Sequence, residues 1–280
     1  MPPPLHTPDR LTAALSHTDP ALGVFLPAGF PAPGLDLEAL QAFAAAGARI
    51  LEVGLPHHDA IYDGPVITEA YQHSLRHGTG VADVLRTVNR AATTTEASVV
   101  VISYWAPVLD WGPDHFAHDL AAAGATGAMI ADLPADEAGP WLTAARAAGI
   151  HSPQFASRRA TDTELQHVAS TATGWVYAPA VDALTGYSGR IDVPALAAFT
   201  ERLHTAGPTP VVTGIGVSNP EIAGQIRHLV NGVIIGTRVV QPLLKLGASD
   251  GLRTAAGQVA AFADALQPPH PVPGMSAVIR

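Results

Sequence analysis

Arg49-Ile50-Leu51-Glu52-Val53-Gly54-Leu55-Pro56 is a short apolar run interrupted by one carboxylate. Side chains alternate along a strand, so Ile50, Glu52 and Gly54 share one face while Leu51 and Val53 share the other. A run this short, with bulky apolar residues on both faces, predicts a parallel strand covered on both sides. The same succession recurs along the chain: an apolar run, a Gly/Pro/Asp cluster, then an Ala/Leu-rich helical stretch. Strands are expected at 23–27, 49–54, 98–104, 127–130, 151–155, 174–177, 210–213 and 232–235. Helices are expected at 35–46, 65–77, 81–94, 115–123, 137–148, 162–170, 193–205, 220–230 and 252–266. Thr93-Thr94-Thr95 is expected to be a plain loop.

Eight strands in 280 residues lie about 35 residues apart. A βα unit takes roughly 30 residues, so eight units use the whole chain and predict a closed α/β structure, a single (β/α)8 barrel. A doubly wound sheet would want a G-x-G-x-x-G turn after its first strand, and none follows residue 23. With no linker in view, residues 1–280 form one expected domain. It has an N-terminal extension or helix over 1–20 and a proline-rich, mobile tail over 268–280.

Composition narrows the chemistry. Hydrophobic residues are 48% of the chain, ample for a core, and charged residues only 14%. Lys+Arg is 15 against Asp+Glu 24, a net charge of −9, which argues against nucleic acid. Cysteine is absent, removing thiolate nucleophiles and cysteine-ligated metals. Lys245 is the one lysine and follows the last strand, which disfavours a Schiff base. The start lacks a signal-peptide pattern and no apolar run is long enough for a membrane helix, so a cytoplasmic protein is expected.

Barrel chemistry sits at the C-terminal ends of the strands. Glu52 falls inside the barrel near that end, where burial raises a carboxylate toward a useful acid/base range. It reads either as a catalytic group or as a plug satisfied by hydrogen bonds. The loop that follows, from His57 to Pro65, carries Asp63, either a second site carboxylate or the cap of the next helix. His57-His58-Asp59 lacks metal-ligand spacing, so no metal is expected. The segment from Tyr177 to Arg190 holds two glycines and suits either a lid or an ordinary surface loop. Thr213-Gly214-Ile215-Gly216 and Ile235-Gly236-Thr237-Arg238 are small-residue turns entering helices; each glycine alone is a turn residue, and the two turns together read as a phosphate site of backbone N–H groups and a helix end. With the overall charge negative, that local holding has to do all the work.

These residues resemble the alpha chain of tryptophan synthase over roughly positions 23 to 242. The matching pieces are Phe25-Leu26-Pro27-Ala28-Gly29-Phe30-Pro31, Leu51-Glu52-Val53-Gly54-Leu55-Pro56, Asp63-Gly64-Pro65-Val66-Ile67, Ser103-Tyr104-Trp105, Asp132-Leu133-Pro134, Leu184-Thr185-Gly186 and Gly232-Val233-Ile234-Ile235-Gly236-Thr237. The resemblance implies retro-aldol cleavage of indole-3-glycerol phosphate to indole and glyceraldehyde 3-phosphate, with no cofactor. Glu52 then matches the proton-shuttling acid/base and Asp63 the carboxylate that stabilises the indole nitrogen. Thr185 matches the lid residue that meets that aspartate, while Tyr177 and Tyr104 border the substrate. Gly186, Gly216, Gly236 and Thr237 match phosphate-cradling positions, Thr237 standing where serine is usual. Other positions depart from the family: Pro56-His57-His58-Asp59-Ala60, Ala106, Ala131, Ala180-Val181 and Ala183. Several such positions contact the beta chain in the family. Their drift implies a divergent paralogue, either an alpha subunit that still has a beta chain as partner or a stand-alone enzyme that releases free indole. Competing readings are a non-catalytic alpha-type subunit that regulates a beta chain, and another phosphosugar barrel isomerase.

Overall fold

A computed structural model describes residues 9–268. In chain order the elements are α1 (Arg10–Leu15), β1 (Ala21–Pro27), α2 (Leu35–Ala45), β2 (Ile50–Gly54), α3 (Pro65–Arg76), α4 (Val81–Thr94), β3 (Ser98–Ser103), α5 (Trp105–Trp111), α6 (Pro113–Ala123) and β4 (Gly127–Ile130). They continue with α7 (Ala138–Ala148), β5 (Gln154–Phe155), α8 (Asp162–Thr171), β6 (Val176–Tyr177), α9 (Val193–Ala206), β7 (Val211–Thr213), α10 (Pro220–Ile226), β8 (Gly232–Ile235), α11 (Thr237–Lys245) and α12 (Ala248–Leu266).

Neighbouring strands are parallel, in the order β4-β3-β2-β1-β8-β7-β6-β5. The seam between β4 and β5 closes through the parallel bridge of Gly127 with His151. There the Ala128 N–H donates to the His151 carbonyl at 2.9 Å and the His151 N–H to the Thr126 carbonyl at 2.9 Å. The result is the (β/α)8 barrel that the spacing of apolar runs predicted. Its register sets the interior: Phe25 on β1 lies beside Glu52 on β2, and Glu52 beside Val100 on β3. All five residues of β2 are buried, as a strand covered on both faces must be.

Local chemistry starts the helices where the chain needs them. Pro65 occupies the first turn of α3, Pro220 that of α10, and the Asn219 side chain accepts from the Ile222 N–H. Thr161 and Glu164 cap α8 reciprocally.

Four expectations need correction. The fifth strand, expected over 151–155, is regular only at Gln154–Phe155. Pro153 has no N–H to give, and the Ser152 N–H is taken by the Thr173 hydroxyl at 2.8 Å. Thr93, Thr94 and Thr95 are not a plain loop: they end α4, and each hydroxyl bonds the carbonyl four residues back. Helix α5 was hidden because Trp105 extends the apolar run of β3. Its start depends on the Trp105 N–H donating to Asp132 at 2.6 Å, a contact from the next βα loop. Helix α11 was hidden by Pro242 inside it, a residue that normally argues against a helix. The expected proline-rich tail lies outside the described residues beyond Pro268, as do residues 1–8 of the expected extension.

One buried carboxylate ties the first βα loop to the barrel. Asp36, only 3% exposed, accepts from the Gly29, Gly34 and Leu37 N–H groups and from the Thr87 hydroxyl on α4. Asp36→Ala leaves buried donors unpaired at about 1–3 kcal/mol each, so urea unfolding should show a loss of about 3 kcal/mol or more.

Candidate active site

A cavity of about 480 Å³ opens at the C-terminal ends of the strands, within the range of sites that enclose a small molecule. It takes in every residue expected from the sequence at the site: Glu52, Asp63, Tyr104, Tyr177, Thr185, Gly186, Gly216, Gly236 and Thr237.

Glu52 is 2% exposed and its Oε1 has no hydrogen-bond partner among the described residues. The satisfied-plug reading therefore fails. Burial pushes its pKa up from 4.5 to about 8, and the negative charge of Asp63 adds to the effect. Near neutral pH Glu52 holds its proton and is poised to give it up.

Asp63 does not cap α3, a position that Gly64 takes. Its Oδ2 accepts from the Tyr104 hydroxyl at 2.8 Å and its Oδ1 from the Thr185 hydroxyl at 3.2 Å. Burial raises the Asp63 pKa, while these two donors pull the other way by favouring the ionised form. Tyr104 keeps its proton, because burial and the neighbouring Asp63 charge both hold its pKa high. Its oxygen also accepts from the Tyr62 N–H at 3.2 Å, so one phenol locks the loop and aims the carboxylate.

The segment carrying Thr185 is fastened to the second βα loop. The Thr185 N–H donates to the Tyr62 carbonyl at 3.2 Å, and the Gly64 N–H donates to the Thr185 hydroxyl at 2.9 Å. Gly64 is required there, since a Cβ would fall 2.1 Å from the Thr185 carbonyl oxygen. The segment from Tyr177 to Arg190 is thereby held by a loop 121 residues away in sequence.

Aromatic rings form one wall. Tyr62 stacks on Phe155 with centroids 5.7 Å apart, and Phe155 stacks on Tyr177 at 5.9 Å. The Tyr177 hydroxyl accepts from the Ile215 N–H at 2.7 Å, fixing the ring against the turn after β7. The far end gathers Gly186, Gly216, Gly236 and Thr237, with Gly236 leading into the nine-residue α11. Both Gly186 and Gly216 have positive φ, +88° and +99°, a conformation open to glycine. Backbone N–H groups and a helix end there suit an anion.

Sequence reasoning missed three contributors. Phe155 was read only as part of a short strand. Tyr71 was read as one helical position among many, yet it lines the cavity from α3. Arg238 lines the anion end, and its buried Nε has no partner among the described residues. It supplies a cation where only amides were expected. His57, considered for a metal, stacks on Tyr104 at 5.6 Å. Among the described residues no three His, Cys, Asp or Glu side chains are grouped to hold a metal. Nor is any helix among them long and apolar enough to cross a membrane.

A family profile described as tryptophan synthase alpha chain matches residues 11–268. The tryptophan synthase alpha chain of Streptomyces coelicolor is 35% identical over 256 residues, covering 90% of this chain and 94% of that protein. That of Thermobifida fusca is 36% identical, covering 91% and 93%. Among solved structures, Mycobacterium tuberculosis tryptophan synthase superposes with a TM-score of 0.83 at 32% identity, covering 92% of this chain and 96% of that one. The alpha subunit from Legionella pneumophila gives 0.84 at 26% identity, covering 93% and 99%.

The clasp between the two loops yields a direct test. Thr185→Val removes the donor to Asp63 and the acceptor for Gly64. Amide exchange at Gly64 and Thr185 should accelerate by about tenfold or more, while exchange in the strands stays unchanged.

Proposed function

The chain belongs to the tryptophan synthase alpha chain family, and we propose how its cavity carries out the family's reaction. The protein is a carbon–carbon lyase that cleaves indole-3-glycerol phosphate to indole and glyceraldehyde 3-phosphate. The observation that carries the residue assignments is Glu52: a buried carboxylic acid with a free oxygen and a pKa near 8, facing a cavity with a second carboxylate and an anion end.

In this reading the indole ring lies beside the Phe155–Tyr177 stack, with its N–H toward Asp63. The phosphate rests on the turns at Gly186, Gly216, Gly236 and Thr237, with Arg238 beside it. Glu52 gives its proton to carbon 3 of the indole. The resulting positive charge on the ring nitrogen is offset by Asp63, which Tyr104 and Thr185 hold in place. Glu52, now a carboxylate, takes the proton of the hydroxyl on the adjacent carbon. The oxygen's electrons form the aldehyde, and the carbon–carbon pair returns to the ring and neutralises it. Glu52 ends protonated, as it began. No electrons enter or leave, so the ring itself is the electron sink. The scheme draws on the second, third, fifth, sixth, seventh and eighth βα units, so the barrel acts as one domain.

The family's alpha chains work with a beta chain. We propose that this chain also cleaves its substrate alone. The support is the Asp63–Thr185–Gly64 clasp, which forms entirely within one chain and completes the acid pair. A non-catalytic role leaves the unpartnered Glu52 oxygen without a purpose. The isomerase reading is set aside by the family assignment.

Indole release by the purified chain should fall by about 10³-fold or more in Glu52→Gln, and by about 10²-fold or more in Asp63→Asn. Because the protonated form of Glu52 starts the reaction, kcat/KM should be level at neutral pH and decline above about pH 8, where the free enzyme loses that proton. A profile that rises through pH 8 contradicts the order of proton transfers. Adding a beta chain should change turnover by less than about tenfold, or about 1.4 kcal/mol. Strong activation would overturn the stand-alone reading.

A further inference from the structure

The cavity contains one buried donor that the two-carboxylate scheme leaves unused. Tyr71 projects from α3, is 0% exposed, and its hydroxyl has no hydrogen-bond partner among the described residues. It enters the cavity because β2 ends in glycine. The space of a Cβ on Gly54 is filled by the Phe25 ring, at 2.7 Å, and by the Tyr71 hydroxyl, at 3.0 Å. Phe25 and Tyr71 meet edge to face with centroids 6.1 Å apart, which fixes the phenol's direction.

Gly54 and Glu52 lie on the same face of β2, two residues apart. The Tyr71 hydroxyl therefore sits roughly 7 Å along the strand from the Glu52 backbone, toward the catalytic end. That is within the span of a glutamate side chain plus one bridging atom. Tyr71 and Glu52 both line the cavity, and among the described residues neither the Tyr71 hydroxyl nor Glu52 Oε1 has a hydrogen-bond partner. An unpaired buried hydroxyl costs about 1–3 kcal/mol, and a phenylalanine would fill the same ring space without that cost. Tyr71 also stays protonated: burial raises its pKa, and the charges of Asp63 and Glu52 raise it further. It is available as a donor throughout the reaction.

We infer that Tyr71 is a further catalytic residue, whose hydroxyl donates a hydrogen bond to the substrate oxygen that Glu52 deprotonates. This rests on the retro-aldol reading above. As the Glu52 carboxylate removes the proton, negative charge develops on that oxygen before the carbon–oxygen double bond is complete. The Tyr71 O–H stabilises that charge and keeps its own proton, so the proton count of the cycle is unchanged. The donor is fixed before substrate arrives, which is the condition for such a contact to lower a barrier.

The test is Tyr71→Phe in the full chain, read by indole release and by thermal unfolding. The expected result is a fall in kcat of roughly 10²-fold with KM changed by less than about threefold. The melting temperature should be unchanged or higher, because an unpaired buried hydroxyl has been removed. The decline in kcat/KM above about pH 8 should stay where it is, since it reports Glu52. A kcat within about twofold of wild type overturns the inference. So does a fall in kcat accompanied by a lower melting temperature, which marks a packing residue. A wild-type chain that releases no indole refutes the reaction reading itself, and is thereby distinct from both results.

Discussion

A carboxylic acid with no hydrogen-bond partner among the described residues, enclosed by a parallel barrel, is the constraint around which this molecule is arranged. Placing Glu52 on the inner face of β2 removes it from water, and among the described residues nothing pairs with its Oε1. The group responds by holding its proton, which costs folding stability at higher pH but provides an acid of suitable strength. The same cavity holds a second carboxyl group, Asp63, in a different setting. Among the described residues Asp63 is given two hydrogen-bond donors and Glu52 none, so their proton affinities separate.

The second requirement is that the cavity be closed and its parts come from distant segments. Tyr104 from the end of β3, Asp63 from the loop after β2 and Thr185 from the segment after β6 meet in one hydrogen-bonded cluster. The Phe155–Tyr177 stack braces the opposite wall, and the Ile215 N–H ties that wall to the turn after β7. Small residues perform a separate task here. Gly54 and Gly64 each leave a space that another residue's side chain or backbone occupies, so the glycines admit Phe25 and Tyr71 in one case and the Thr185 backbone in the other.

Much of this was legible in the sequence. The apolar runs at intervals near 35 residues gave eight strands, because a buried parallel strand must be apolar on both faces. Strand alternation placed Glu52 inside, and glycine-rich turns marked the anion end. The residues that escaped did so for identifiable reasons. Tyr71 lies on a helix, where periodicity assigns it to the core, and only the missing side chain at Gly54 brings its hydroxyl into the cavity. Phe155 belongs to a two-residue strand too short to show a pattern. Arg238 follows a turn that was read for its amides, so its own charge was passed over. Helix α11 was obscured by Pro242, and α5 by an apolar run continuous with β3.

The sequence by itself determined the period of the chain, the closed barrel and the position of the acid on its inner face, since these depend on local alternation and spacing. It also set the chemistry available: carboxylates, phenols and amides, with no thiol and one lysine outside the site. Tertiary structure alone decided which carboxyl group is held by two donors and which is buried without one. Proton affinity depends on burial and on donors that arrive from elsewhere in the chain, and no local pattern encodes that Thr185 closes on Asp63 while Glu52 has no partner among the described residues.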